Sequence, residues 1–458
     1  MHGIGTTALD RVSKYSYNRD IRACCIPMLY GVARNVPEYR SNLDSRKDWK
    51  HEKESTSLAG GSYDGNHADE SCSASGGTCG GDRNDLSVLI LGDDVSAGVG
   101  LQEGEQAYGE LVASYLGTEN VQNYAQEGAT TDSLLNLIQT DDIVQASIAE
   151  ADIILISVGA NDIYQTVLQN EYINISDYNS MQAVLNSLDS NTRLNLSKYL
   201  RNAMPPVVEQ AVSNIQEITK AVYAVNPGAD IVFQDVYNPL SVSKDTTGLT
   251  GGAPAKISMI SSEVEEYLQG GGLITTGINT GIQALRQARC AEAHTLFLNH
   301  GWYYTSVGTL GLQPNGIGQL AIAQATIQTL NLPGGNGTEL SAAYQNSGAA
   351  ESLSGVDATV DQNLQTLSRS TIEVYRKGDV DHSGEIELAD ATMALTQYAE
   401  QSVANCNPLN VVSRKAADVN QTPGVDLGDA TLLLTFYAEK AVGNVTEEDF
   451  DEFVKQNS

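Results

Sequence analysis

Two acidic stretches near the end of the chain have the spacing of oxygen-ligand loops for a hard divalent cation. Asp379, Asp381, Ser383, Glu385 and Asp390 fall at the first, third, fifth, seventh and twelfth places of a twelve-residue run, with Gly384 at its sharp central turn. Side-chain oxygens at these places, with the backbone carbonyl of the seventh, make the donor set of a calcium loop. The pattern recurs at Asp418, Asn420, Thr422, Gly424, Asp426 and Asp429. Each loop opens a matching run, DATMALTQYAEQ (390–401) and DATLLLTFYAEK (429–440), so the pair is an internal repeat rather than a solvated acidic turn. The expected cofactor is calcium, two ions. Pro423 stands where the second loop needs its turn glycine, with Gly424 one place later. That fixes φ near −65° where freedom is usual, so the second site is expected to bind calcium more weakly or with altered geometry. The residues just before the loops, YRKG and RKAA, are too short and basic for convincing entering helices.

A second set of candidate residues lies earlier, at the ends of short apolar runs. LSVLIL (86–91) stops at Gly92-Asp93-Asp94, ADIILISV (151–158) stops at Gly159-Ala160-Asn161-Asp162, and IVFQDV (231–236) stops at Tyr237-Asn238-Pro239. Helical periods at about 105–117, 132–149, 205–225 and 316–330 separate or follow them. Buried strands of this length spaced by helices predict an α/β domain, a doubly wound parallel sheet with flanking helices. In such a sheet a site forms at the carboxyl ends of the strands, where these turns fall.

The segments GDDVSAGVG (92–100), NYAQEGATT (123–131), GAND (159–162) and LQPNGIGQLAIA (312–323) resemble, in order, the four sequence blocks of the SGNH, or GDSL, hydrolases, a family of esterases, lipases and carbohydrate deacetylases. The resemblance covers residues 86–330 and implies that fold. It implies that Asp94 takes the place of the family's nucleophilic Ser, and that Gly128 and Asn161 are the retained oxyanion donors. It also implies that Leu310 and Gln313 replace the Asp and His of D-x-x-H-P-N. Gln carries no titratable nitrogen to take a hydroxyl proton, and Leu offers no acceptor to an imidazole, so Ser-His hydrolysis is not available. The Asp94 carboxylate is instead expected to accept hydrogen bonds from the Gly128 amide and the Asn161 side chain, filling the oxyanion hole. Asp93 and Asp94 also suit plain helix capping at this turn. His294 and His300 lie 19 and 13 residues before Gln313 and are alternative bases if the last block is shifted. Each also reads as a satisfied structural histidine.

The paired loop–helix units resemble a dockerin, the small all-α calcium-binding module that attaches enzymes to the cohesins of a cellulosome. The resemblance implies a cohesin module of a scaffoldin as partner, an extracellular, cellulosome-associated protein, and plant cell-wall polysaccharide as a further ligand. Two functions from different classes remain open: a non-catalytic SGNH-like module, carbohydrate-binding, held on a cellulosome, and an active carbohydrate esterase of the same fold with a base placed elsewhere.

Composition agrees with two domains and a tail. The chain has 458 residues, 57 Asp and Glu against 26 Lys and Arg, and a net charge of −31. Such a surface repels phosphate backbones and attracts divalent cations, which excludes a nucleic-acid partner. No apolar run approaches the roughly 20 residues that span a bilayer, so no membrane segment is expected. Residues 1–85 hold 11 basic and 12 acidic residues, so nearly all the excess acid follows Asp85. They show no secretory leader and read as a disordered or mis-started N-terminal segment. The expected organisation is this leader, the SGNH-like domain at 86–330, a Gly/Ser/Ala-rich linker at 331–376, and the dockerin with a C-terminal helix at 377–458. That last helix should start at the capping pattern Thr446–Asp449 and pack Phe450, Phe453 and Val454 back on the module. The six cysteines, Cys24, Cys25, Cys72, Cys79, Cys290 and Cys406, form no zinc spacing; a Cys72–Cys79 disulfide and unpaired thiols are both open.

Overall fold

In the computed structural model the described residues are 86–242, 248–332, 375–420 and 422–458. They belong to the second of two units, Asp64–Ser458. The leader at 1–85 with its four cysteines, and most of the expected linker, lie outside them.

The apolar runs become β1 (Val88–Gly92), β3 (Ile153–Ser157) and β4 (Asp230–Gln234), the central strands of a parallel five-stranded sheet. Its edges are β2 (Val121–Asn123) and β5 (Arg289–Ala291), giving the order β2-β1-β3-β4-β5. Register is set where Val88 faces Val121 on one side and Ile153 on the other, and Ile153 in turn faces Asp230. Every residue of β1, β3 and β4 is buried, because helices cover both faces. Each fully buried Ile, Leu or Phe there contributes roughly 1.5–3 kcal/mol of apolar transfer.

The connections supply the helices. After β1 come α1 (Asp94–Ala97) and α2 (Tyr108–Leu116); after β2, α3 (Thr131–Thr140) and α4 (Asp142–Glu150); after β3, α5 (Ala160–Leu168), α6 (Met181–Ser187) and α7 (Ser190–Val225). After β4 come α8 (Ala253–Gln269) and α9 (Ile278–Gln283); after β5, α10 (Ala293–Phe297) and α11 (Gly301–Tyr304). A hairpin of β6 (Thr305–Ser306) and β7 (Gly311–Pro314) leads into α12 (Gly316–Leu330). The α7 helix is longer than the spacing predicts. A proline pair reads as a helix start, yet Pro205 and Pro206 lie inside a 36-residue helix capped by the Asp189 side chain on Thr192 N–H at 2.7 Å. Leu196, Leu200, Met204, Val208, Ala211, Ile215, Ile218 and Val222 form one continuous buried stripe. Their packing outweighs the hydrogen bonds lost at the two prolines.

At the C-terminal end, the helices Leu388–Ser402 and Leu427–Ala441 each follow one acidic loop and pack on one another around Val380, Ile386, Ala394, Leu433 and Phe436. The last helix, Phe450–Asn457, closes this small core: the Phe450 and Phe453 rings lie 4.9 and 5.4 Å from Phe436. One expectation is corrected. RKAA is the end of a helix, Val411–Ala417, that enters the second loop, capped by Asn410 on Ser413 N–H at 2.9 Å. Arg414 and Lys415 favour it from its last turn, where cations complement the helix dipole. None of the described helices is long and apolar enough to cross a membrane.

Candidate functional site

The site at the carboxyl end of β1 follows from three strand-end turns. Gly92 ends β1 at φ +130°, where a Cβ would stand 2.0 Å from Ser157 O, so only glycine lets β1 and β3 stay paired to their last residues. Asp93 then caps α1, accepting from Val95 N–H at 3.1 Å, and Asp94 becomes its first residue, nearly buried. Gly159, at φ +112°, turns β3 into α5 and places Asn161 in the first turn. Gly128, at φ +75°, turns its amide toward the same point.

These turns bring the predicted residues together. The Gly128 amide donates to Asp94 Oδ1 at 3.2 Å, and Asn161 donates from Nδ2 to Asp94 Oδ2. The other Nδ2 proton of Asn161 goes to Ala129 O at 3.0 Å, which fixes the amide plane. Asp162 anchors the start of α3 by accepting from Thr131 N and Oγ1 at 3.0 and 2.7 Å. Asp94 therefore occupies both of these donors.

Gln313 lies on β7, which packs against α1, and its Cβ is 3.9 Å from a Cβ built on Gly100. Tyr237, whose hydroxyl donates to Leu312 O at 2.9 Å, joins β7 to the β4 end. Leu310 sits at φ +71°, a left-handed position that costs a leucine about 1–2 kcal/mol, and it packs against the main core with Leu312. His294 and His300 have partners of their own. His294 Nε2 meets Glu265 Oε2 at 2.8 Å, its Nδ1 meets Gln269 at 3.2 Å, and its amide donates to Asp235 Oδ1 at 2.7 Å. The His300 ring stacks on Tyr304 at 5.6 Å.

Beneath Asp94 is a buried polar chain that the sequence does not reveal. Asp93 Oδ1 accepts from Ser157 Oγ at 2.7 Å, Ser157 Oγ meets Ser96 Oγ at 2.7 Å, and Ser96 Oγ donates to Leu91 O at 2.9 Å. Ser96, the serine nearest Asp94 in sequence, is fully buried with its hydroxyl committed, which removes it as a nucleophile. Only its pairing with a residue 61 positions away defines this chain, so no local signal marks it.

Burial, first, and then the neighbouring Asp94 charge push the Asp93 carboxyl up to about 7 from its ordinary 3.8, against the Ser157 and Val95 hydrogen bonds. Burial likewise raises Asp235 to about 6. A folded-state pKa above the unfolded value means that the folded protein holds the proton more tightly. The stabilisation is complete below about pH 4 and is lost as pH rises through 7. At saturating calcium, urea unfolding should therefore show stability falling between pH 4.5 and 8 by up to about 4 kcal/mol from Asp93 alone. Asp93→Asn, which keeps an acceptor for Val95 and Ser157, should flatten most of this slope.

The C-terminal loops form a second candidate site, for a metal. Oxygen atoms of Asp379, Asp381 and Asp390 lie within 4.8 Å of one another, and a hard oxygen donor set of this kind fits calcium. Asp379 also takes the Ser383 and Gly384 amides, both at 2.9 Å. Asp390 takes the amides of Val380, Asp381 and Glu387 at 2.6, 3.1 and 2.7 Å. Asp429 repeats this with Val419, Asn420 and Asp426 at 2.9, 2.8 and 2.7 Å. The loops differ at the turn: the left-handed glycine is Gly384 (φ +93°) in the first and Gly424 (φ +88°), one place later, in the second. There Gly424 donates to Asp418 Oδ2 at 3.2 Å, Thr422 donates to Asn420 Oδ1, and Asp426 draws in Asn420 at 3.0 Å.

Residues 90–269 match the model of the GDSL-like lipase/acylhydrolase family. The fourth block, with Leu310 and Gln313, lies beyond the matched span. Similar solved structures include a lipase from a goat rumen metagenome (14% identity, 53% of this chain and 97% of that one, TM-score 0.33). Others are an extracellular lipase from Streptomyces rimosus (16%, 53% and 99%, TM-score 0.35) and phospholipase A1 from Streptomyces albidoflavus (15%, 55% and 100%, TM-score 0.33). No curated protein matches the chain. With a parallel sheet flanked by helices and the family match over residues 90–269, the chain carries a GDSL/SGNH hydrolase-like domain.

Proposed function

We propose that this protein is a non-catalytic member of its hydrolase fold, a binding module for plant cell-wall polysaccharide, docked on a cellulosome through a calcium-dependent dockerin. The observation that carries the first half is the Asp94 carboxylate, hydrogen-bonded to Gly128 N–H and Asn161 Nδ2. A resident anion in that hole repels the developing oxyanion of an ester and leaves no hydroxyl to attack it. Gln313 and Leu310 supply neither base nor base-orienting acceptor. The strand ends keep polar groups, Asn161 and the Gly128 amide among them, that suit sugar hydroxyls without the means to cleave an acyl bond.

Attachment is supported by the repeat. Leu388 and Leu427, Leu395 and Leu434, and Val403 and Val442 occupy matching places after the two loops and are 48–71% exposed. Exposed apolar side chains repeated on two packed helices are what a protein partner such as a cohesin would cover. An extracellular location follows from that partnership.

A serine-directed fluorophosphonate tests the reading without a guessed substrate, since it labels any activated serine. Intact-mass analysis should find no adduct on the folded chain. A stoichiometric adduct on a serine within 86–330 would instead establish the active-esterase alternative.

A further inference from the structure

The residues between the two calcium loops are built into the α/β domain. Asp230, at the amino end of β4 and so opposite the Asp94 site, is buried to 2% exposure. A buried carboxylate needs a counter-charge, and among the described residues of the α/β domain only Arg289 Nη2 is near, at 3.8 Å. The close partner comes from the other module: Arg414 Nη1 lies 2.6 Å from Asp230 Oδ1, and Val411 N–H donates to Oδ2 at 2.9 Å. Arg414 also donates to Leu409 O at 2.6 Å and Gly228 O at 2.8 Å, while Arg289 donates to Asn407 O at 2.6 Å. Val411 and Val412 pack in the same core layer as β1, α2 and α12.

This anchor is wired to both loops. Asn407 donates to Ala229 O at 3.0 Å and accepts from the buried Gln397 at 2.6 Å, on the helix that follows the first loop. Arg414 and Lys415 end the helix that enters the second loop, and Lys415 Nζ lies 3.0 Å from Asp152 at the foot of β3. The first loop is tied to the second by Gly378 N–H on Ala416 O at 2.9 Å and by Lys377 Nζ on Asp418 O.

We propose that Asp230–Arg414 is a latch coupling the loop module to the α/β domain, so that calcium held by the loops raises the stability of the α/β domain. The latch rests on the calcium reading only for its trigger. Unfolding of the loop module would withdraw Arg414 and the Val411 amide and leave Asp230 with only the more distant Arg289, 3.8 Å away, a penalty felt in the sheet. Calcium binding shifts that equilibrium by mass action.

The experiment uses the full chain in a Trp49→Phe background. The chain has two tryptophans, Trp49 and Trp302, and Trp302 packs on the α/β core, so its fluorescence then reports that domain alone. Saturating calcium should raise the Trp302 melting midpoint by on the order of 5 °C over chelator. The double variant Asp230→Asn with Arg414→Met removes both charges of the close pair and should lose that calcium shift. Calorimetric calcium uptake with no movement of the Trp302 midpoint would overturn the latch and leave the calcium site standing. A shift undiminished in the double variant would also overturn it. Absence of any calcium uptake would defeat the calcium reading, and the coupling with it.

Discussion

Adding a calcium chelator to the full chain should abolish capture by a purified cohesin and melt the helices Leu388–Ser402 and Leu427–Ala441, seen as lost helical circular dichroism. The loop module is small, and its core rests on a few residues such as Val380, Ile386, Leu433 and Phe436, so that core supplies only a few kcal/mol. In its first loop three carboxylates converge within 4.8 Å, an arrangement that repels itself unless a cation neutralises it. Metal binding energy then appears as folding energy. The loss of cohesin affinity should exceed about 100-fold, because the matched leucines and valines keep their relative places only while both loops are closed. The loops should contribute unequally. Asp379→Ala removes a carboxylate from the more acidic loop and should cost more calcium affinity than Asp418→Ala, since the neutral Asn420 stands in the second loop where the first has the charged Asp381. Isothermal titration of each variant, resolved into two binding steps, checks this order; equal losses would contradict it.

The second large effect concerns Asp94. Asp94→Ser alone should leave ester hydrolysis at background, because Gln313 cannot take the hydroxyl proton. Combined with Leu310→Asp and Gln313→His, it should raise kcat/KM for an activated acetyl ester by on the order of 100-fold over the unaltered chain, the lower range of a positioned base. Asp at 310 also suits the φ +71° backbone better than the present leucine, so that change relieves strain while adding the acceptor. Adding Asn161→Ala to the triple variant should remove roughly 100-fold of the gain if that side chain has become an oxyanion donor.

Much of this arrangement is readable from local sequence because it depends on local patterns. The runs of β1, β3 and β4 are uniformly apolar, since both faces are covered, and each stops at a Gly/Asp/Asn turn. β2 and β5 escape notice because each is three residues long and partly exposed at an edge, leaving too few apolar positions for a period. α7 is misjudged at its start because proline is a local breaker, whereas the buried stripe through Leu196 and Met204 is a tertiary fact. Asp94, Gly128 and Asn161 are legible as a group only through the order of the blocks. Ser96, Ser157 and Tyr108 are ordinary residues until the chain folds them around Asp93. Likewise Arg414 and Lys415 read as residues that weaken a helix assignment, when their charges answer Asp230 and Asp152 far away in sequence.

Whether the Asp94 carboxylate has closed the site to chemistry is decided by assaying the purified, unaltered chain on an activated acetyl ester beside its Asp94→Ala variant. Neither should turn the ester over above buffer. Robust turnover by the unaltered chain that disappears in Asp94→Ala would contradict that closure and make Asp94 itself the reacting group.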